Sequence, residues 1–302
     1  MNSYFFVTEP EDEDKRLDAY LAEVLEGYSR SYIQKLLEDT LVSVDGSVKK
    51  KNYRLSGDEK IHVLLPDPRP LGVEAEDIPL DIYYEDDDIL IVNKPKGMVV
   101  HPAAGHSGGT LVNALMGHCG AALSGINGVL RPGIVHRIDK DTSGLLAVCK
   151  NDASHASVAA QLKEHSVTRR YLAVAQGTIS APGVVDAPIG RDKKDRLRMA
   201  VDPLHGKNAV THYRPLEMLR GYTLVECRLE TGRTHQIRVH LSSLGHPLLG
   251  DELYGARKNP HAADGQCLHA GVLGLIHPRT GEYMEWTAPL PPEFEAKLAK
   301  LR

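Results

Sequence analysis

Cysteine is scarce in this chain and unpaired. Cys119, Cys149, Cys227 and Cys267 are the four, far apart and without a C-x-x-C. That excludes a disulfide scaffold and suits free thiols in a reducing compartment. Long apolar runs are missing too, none approaching the ~18 residues of a membrane span. The opening Met1-Asn2-Ser3-Tyr4-Phe5-Phe6 has neither the basic nor the long apolar region of a secretory signal. A cytoplasmic protein is expected. Charge of either sign is not in large excess: 36 basic and 40 acidic residues leave a formal net charge of -4. A polyanionic partner would therefore be met by local patches rather than by a uniformly cationic coat. Fifteen histidines fall in scattered blocks, with no H-E-x-x-H and no Cys/His quartet, so no metal site is expected. Glycine-rich residues 105–110 and 117–128 lack the lysine and spacing of a phosphate-binding P-loop. No motif marks the carboxylate pair that glycoside hydrolysis needs.

What is present fits two domains. The 302 residues, 42% hydrophobic and 25% charged, can bury a core without staples. Leu17, Tyr20, Leu21, Val24 and Leu25 repeat at helical spacing. Ser31-x-x-Gln34 has capping-box spacing for a second helix near Ser29 or Ser31, with Ile33, Leu36 and Leu37 as its inner face. Strands are expected at residues 41–44, ahead of an Asp45-Gly46 turn, and at 61–65. Pro66, Pro68 and Pro70 form a stiff connector. The expected division is a small αβ domain at 1–66, a linker at 67–77 and a larger domain at 78–302. In the latter, short β-prone runs alternate with glycine-rich turns and few helices. An α+β fold with a largely antiparallel mixed sheet is expected there rather than a doubly wound parallel one.

The most informative stretch is Gly133-Ile134-Val135-His136-Arg137-Ile138-Asp139-Lys140-Asp141-Thr142-Ser143-Gly144. Charges, hydroxyls and a glycine precede an apolar strand, a pattern that holds polar groups at a sheet edge. Taken alone, Asp139 is an acid, a base, a nucleophile or an ordinary turn aspartate.

Residues 15–65 resemble the S-four-like RNA-binding domain through Arg16-Leu17-Asp18, Ser29-Arg30-Ser31, Gln34-Lys35, Val42-Ser43-Val44-Asp45-Gly46 and Gly57-Asp58. The resemblance implies RNA contacts by Arg30 and Lys35, with Lys49, Lys50, Lys51 and Arg54 adding charge. Residues 80–290 resemble the RluA family of pseudouridine synthases, especially its RluD-like members. The matching blocks are Tyr84 to Gly97 with Val100-His101-Pro102, the Asp139 stretch, Arg170-Tyr171-Leu172-Ala173-Val174-Ala175-Gln176-Gly177, and Leu229-Glu230-Thr231-Gly232-Arg233-Thr234-His235-Gln236-Ile237-Arg238-Val239-His240. Gly245-His246-Pro247, Gly250-Asp251 and Leu268-His269-Ala270 follow in order.

This resemblance implies isomerisation of uridine in RNA without metal, nucleotide or redox cofactor. Asp139 would be the essential aspartate, either attacking covalently or assisting a glycal intermediate. Arg238 would be its partner, and Tyr171 would pack on the uracil. Arg137 would wedge into the space left by the flipped base, while His136 supports the loop. Phosphate contacts are expected from Lys94, Arg191, Lys193, Lys194, Arg196, Arg198 and Lys207. The implied substrate is large-subunit ribosomal RNA, free or in a particle, and the implied state is a monomer. The alternatives are a synthase acting on transfer RNA and a non-catalytic ribosome-assembly factor on the same scaffold.

Overall fold

The computed structural model describes the chain except residues 1, 26, 27, 29, 67–72, 103–107, 121, 122, 126–131, 196 and 256–264. Two compact units emerge, Met1–Val73 with Ser124–Pro132, and Glu74–Leu123 with Gly133–Arg302. Pro68 and Pro70 of the expected connector lie outside the described residues. Residues 74–77 are tied to the second unit. Asn113 donates to the Glu74 carbonyl at 2.8 Å and accepts from the Glu76 N–H at 3.0 Å.

In the first unit, β1 (Asn2–Val7) leads through a 3-10 turn (Pro10–Asp12) to α1 (Leu17–Val24) and α2 (Arg30–Glu38). Then come β2 (Val42–Val44), β3 (Ser47–Val48) and β4 (Lys60–Leu65). The sheet runs β1-β4-β2-β3, antiparallel throughout. Asp45 and Gly46, with φ of 46° and 73°, close a two-residue hairpin of the kind that matches strand twist. The helical repeat packs Leu17, Leu21, Ile33, Leu36 and Leu37 against Val42, Val44, Ile61 and Val63. Each such side chain contributes about 1.5–3 kcal/mol by leaving water. The α2 start differs from expectation. Ser31 lies inside the helix, and Gln34 is occupied elsewhere, donating to Asp18 at 2.6 Å. Asp18 is fully buried and also accepts from Arg16 and Arg30. Burial would raise its pKa, but the bonds from Arg30, Arg16 and Gln34 outweigh it and hold the carboxyl far below its usual range.

The second unit is built on a nine-stranded sheet. In chain order its elements are β5 (Asp81–Glu85), β6 (Ile89–Lys94), α3 (Leu111–Cys119), β7 (Ser143–Cys149), α4 (Asp152–Lys163), β8 (Thr168–Gln176) and β9 (Gly183–Asp186). A separate hairpin follows, β10 (Ile189–Arg191) and β11 (Met199–Val201). After it come β12 (Val210–Leu219), β13 (Tyr222–Leu229), α5 (Gln236–Ser243), β14 (Leu268–Ile276), β15 (Tyr283–Thr287) and α6 (Pro292–Leu301). The strand order is β5-β6-β7-β14-β8-β13-β12-β9, with β15 also on β14. Among the described residues only the β7–β14 pair is parallel. The fold is therefore α+β with a mixed, largely antiparallel sheet. Every residue of β7 is buried, as a central strand covered on both faces requires. α4 covers one cluster (Ile89, Ile91, Leu145, Val158), and α6 another (Val174, Leu224, Phe294, Leu298). At Gly144 (φ 118°) a Cβ would meet the Ala270 carbonyl oxygen at 2.3 Å, so only glycine lets β14 approach there. Among the described residues no helix is long and apolar enough to cross a membrane.

Candidate active site

Four segments of the second unit supply the site: the loop before β7, the middle of β8, α5, and the turn at residues 250–254. The loop is anchored from below by Lys94. Expected as a phosphate contact, Lys94 is instead fully buried at the end of β6. Its ammonium donates to the carbonyls of Pro95 (2.7 Å), Met98 (2.9 Å) and Lys140 (3.0 Å). Burial draws its pKa down to about 7, against the charges of Asp141 and Asp139. A lysine committed to three carbonyls inside the fold cannot reach RNA, and it fixes the residue next to Asp139. His136 fixes the same loop from the other side, its Nε2 accepting from the Ala147 N–H at 2.9 Å. The ring sits in the fold with its pKa lowered to about 3, by burial first and the Arg169 charge second.

Arg238 lies on α5, three residues after His235. His235 is the left-handed residue that precedes the helix, so the start of α5 brings both to Asp139. Arg238 Nη1 donates to Asp139 Oδ2 at 2.8 Å, while Nε and Nη2 engage both oxygens of Asp251 at 2.7 and 2.9 Å. Burial works against the guanidinium charge, but the Asp251 bonds and the Asp139 charge prevail and raise its pKa above the ordinary value. Asp251 is fully buried and is further held by the N–H groups of Leu253 and Tyr254. Asp139 keeps 23% of its side chain exposed. Its Oδ1 makes no hydrogen bond among the described residues, and His235 Nε2 stands 3.9 Å from it. Buried Gln236 shapes the start of α5. It accepts from Thr231 Oγ1 (2.7 Å) and Arg233 N–H (2.9 Å), and donates to the Val210 carbonyl (2.9 Å) and Thr211 Oγ1 (3.0 Å).

Tyr171 occupies the middle of β8, 7% exposed. The register of β14 slips between His269 and Val272, setting two residues against this one. Such a bulge bends a strand and re-aims its neighbours. Burial raises the Tyr171 pKa, with Arg169 opposing and Asp139 adding to the rise. The phenol therefore remains protonated at neutral pH.

The other expected residues are dispersed. Arg137 is exposed at the site rim and donates to Thr234 Oγ1 at 3.0 Å. Arg30 and Lys35 are exposed on α2 of the first unit, with two nitrogens of Arg30 given to Asp18. Lys193 and Lys194 are exposed between β10 and β11, and Arg196 lies outside the described residues. The sequence reading gave no role to Asp251, His235 or Tyr254, although two of them stood in the quoted blocks; their partners are 13 to 96 residues away. It also did not assemble Asp86, Asp88 and His277, whose ligand atoms converge. Those carboxylates are committed to Arg279, Asn151, Ser154, His277 and backbone N–H groups.

Comparison with known proteins places the chain in a family. Residues 88–243 match the family model described as RNA pseudouridylate synthase, and residues 15–61 match the S4 domain. The uncharacterized RNA pseudouridine synthase YlyB of Bacillus subtilis is 55% identical over 100% of this chain and 99% of its own. A ribosomal large subunit pseudouridine synthase D of Zymomonas mobilis is 49% identical over 93% of this chain and 92% of its own. The solved human RNA pseudouridylate synthase domain containing 1 superposes with a TM-score of 0.59 at 30% identity, covering 76% of this chain and 89% of that one. With an S4 domain ahead of a catalytic unit that matches over more than half the sequence, the chain belongs to the RNA pseudouridine synthase family, in its RluA/RluD-type branch.

Proposed function

We propose that the protein isomerises uridines of large-subunit ribosomal RNA, with Asp139 as the essential group. The observation that carries this reading is the unequal treatment of two carboxylates by one guanidinium. Asp251 is saturated, whereas Asp139 is oriented through Oδ2 and keeps Oδ1 for chemistry. An adjacent guanidinium favours the ionised carboxylate, which both the covalent and the glycal routes require. Tyr171 offers a protonated ring against which a flipped uracil can lie. Arg137 stands at the rim as the wedge. Unstacking the target costs a few kcal/mol, which phosphate contacts from the S4 domain and the β10–β11 loop would offset. The ribosomal substrate is supported by relatives at 45–49% identity that carry the name ribosomal large subunit pseudouridine synthase D.

The test is to map pseudouridine in total RNA from cells with and without the protein. Loss of modification at large-subunit uridines is expected, restored by the wild type and not by Asp139→Asn. Loss confined to transfer RNA would overturn the substrate. Restoration by the Asn variant would overturn the role of Asp139.

A further inference from the structure

Tyr254 ends the turn whose Asp251 holds Arg238, and its hydroxyl serves two other elements. The Met199 N–H donates to it at 2.8 Å, and His235 Nδ1 lies 2.9 Å from it. Met199 opens β11, so the first bond reaches the foot of the cationic loop. The ring is 7% exposed and meets His235 edge-on, centroids 5.7 Å apart at 78°. The guanidinium carbons of Arg198 and Arg238 lie over it at 5.2 and 5.1 Å, a favourable use of its π face.

Hydrogen-bond bookkeeping then fixes a direction. A hydroxyl that accepts from Met199 still has its own proton to give, and His235 Nδ1 is the acceptor in reach. That assigns the neutral ring its proton on Nε2, the nitrogen 3.9 Å from Asp139 Oδ1. Burial keeps the ring neutral, lowering its pKa against the Asp139 charge. At φ 56° His235 is also a non-glycine residue in the left-handed region, a strained setting concentrated at working sites. Both ends of the chain of contacts have hydrogen-bonding capacity to spare. Among the described residues Arg198 Nε is buried without a partner, in the loop that also carries exposed Lys193 and Lys194. At the other end, the Nε2–H is about 1 Å too far from Oδ1 to bond.

We propose that Tyr254 and His235 are positioning residues that couple RNA seated on the β10–β11 loop to the free oxygen of Asp139. A phosphate taken by Arg198 settles the loop. The Met199–Tyr254 bond carries that shift to His235, and Nε2–H closes on Oδ1. The site is thereby completed by its RNA, and RNA too short to fill the loop reacts slowly. This rests on Asp139 being the essential group.

The test is single-turnover kinetics of the full-length protein on an unmodified large-subunit ribosomal RNA transcript, giving a maximal rate and a half-saturating enzyme concentration. Tyr254→Phe keeps the ring and deletes the hydroxyl. It should lower the maximal rate about 10- to 100-fold, as a 1 Å misplacement does, with half-saturation changed by no more than about twofold. His235→Gln, which keeps an N–H near the Nε2 position, should retain about fivefold more rate than His235→Ala. Combining Tyr254→Phe with His235→Ala should add less than about twofold to the slower single variant, since both cut one link. A wild-type maximal rate for Tyr254→Phe, multiplied losses in the double variant, or weakened half-saturation at an unchanged rate would each overturn the coupling. If Tyr254→Phe does not fold, the Gln and Ala variants of His235 decide alone. If the wild type forms no pseudouridine in this transcript, the substrate assignment fails instead, and the same variants on an RNA that does react still decide the coupling.

Discussion

Each unit contains an arginine–aspartate cluster around a fully buried aspartate, and the two are built with inverse stoichiometry. In the first, Asp18 is the single carboxylate between Arg16 and Arg30, with Gln34 as a fifth bond, and it is fully buried. In the second, Arg238 is the single cation between Asp251 and Asp139. A carboxylate with donors to spare is a fastener, here joining α1 to α2. A cation with carboxylates to spare leaves one of them short of bonds. On the proposed reading, reactivity would follow from that shortage, because a group with an unfilled lone pair and some exposure can meet substrate.

The sharpest way to break the contrast is Asp139→Asn. It should lower the isomerisation rate on the order of 10³-fold or more, with an unchanged thermal midpoint and RNA affinity, because the amide oxygen still accepts from Arg238. Measurable single-turnover product from the pure variant would remove Asp139 from the chemistry. Arg238→Ala should act on the fold as well as the rate, since it strands Asp251 in the interior. A loss of about 3–5 kcal/mol in denaturant unfolding is expected, and a loss below about 1 kcal/mol would mean that the Asp251 environment is wetter than its burial implies.

Next in size, Lys94→Met should slow the reaction about 10-fold by releasing the loop around Asp139, while the slope of log affinity against log salt stays the same. A slope reduced by about one would instead make Lys94 a phosphate ligand. His136 should make the second unit acid-sensitive. Its pKa is lowered from 6.5 to about 3 in the fold. The stability it contributes is present above pH 6.5 and is lost as pH falls toward 3, by at most about 1.4 kcal/mol per unit. His136→Gln, which keeps an acceptor for Ala147, should flatten urea-unfolding stability between pH 6.5 and 4.5; an identical slope would assign the acid loss to other groups. Least affected should be Arg30→Ala, which removes a half-exposed, solvent-screened partner. Arg16 and Gln34 still hold Asp18, so a loss of several kcal/mol would give the two clusters equal fragility.

Local pattern made much of the fold legible. The i, i+3, i+4 stripe of Leu17, Tyr20 and Leu21 and the Asp45-Gly46 turn need no distant information, and both are where the pattern puts them. Strand β1 was not foreseen. Phe6 packs against the core, but Phe5 at 74% exposed and Val7 at 58% face outward from an edge, so the strand has little buried face to signal it. Lys94 misled because lysines are almost always exposed, and no local feature reports that three carbonyls await it. Gln34 offered a capping spacing that Asp18, sixteen residues earlier, takes over. In the site, motif blocks carried Asp139, Tyr171 and Arg238, but the blocks do not say who touches whom. The 2.8 Å contact between residues 99 positions apart, and the Tyr254–His235 bond, exist only after α5 has docked.

The position of β14 has a consequence for how the molecule is made. It inserts between β7 and β8, pairing residue 143 with 269 and residue 173 with 268. The middle of the sheet is thus filled from a segment synthesised about 100 residues after its flanking strands. Such distant pairing is slow to find, and until it forms, two apolar strands keep bare edges of the kind that seek other chains. Tyr171 acquires its bulged neighbour in the same event. An unfinished polypeptide thus lacks the middle of its sheet, and the register that seats Tyr171 arrives with one of the last strands to be translated.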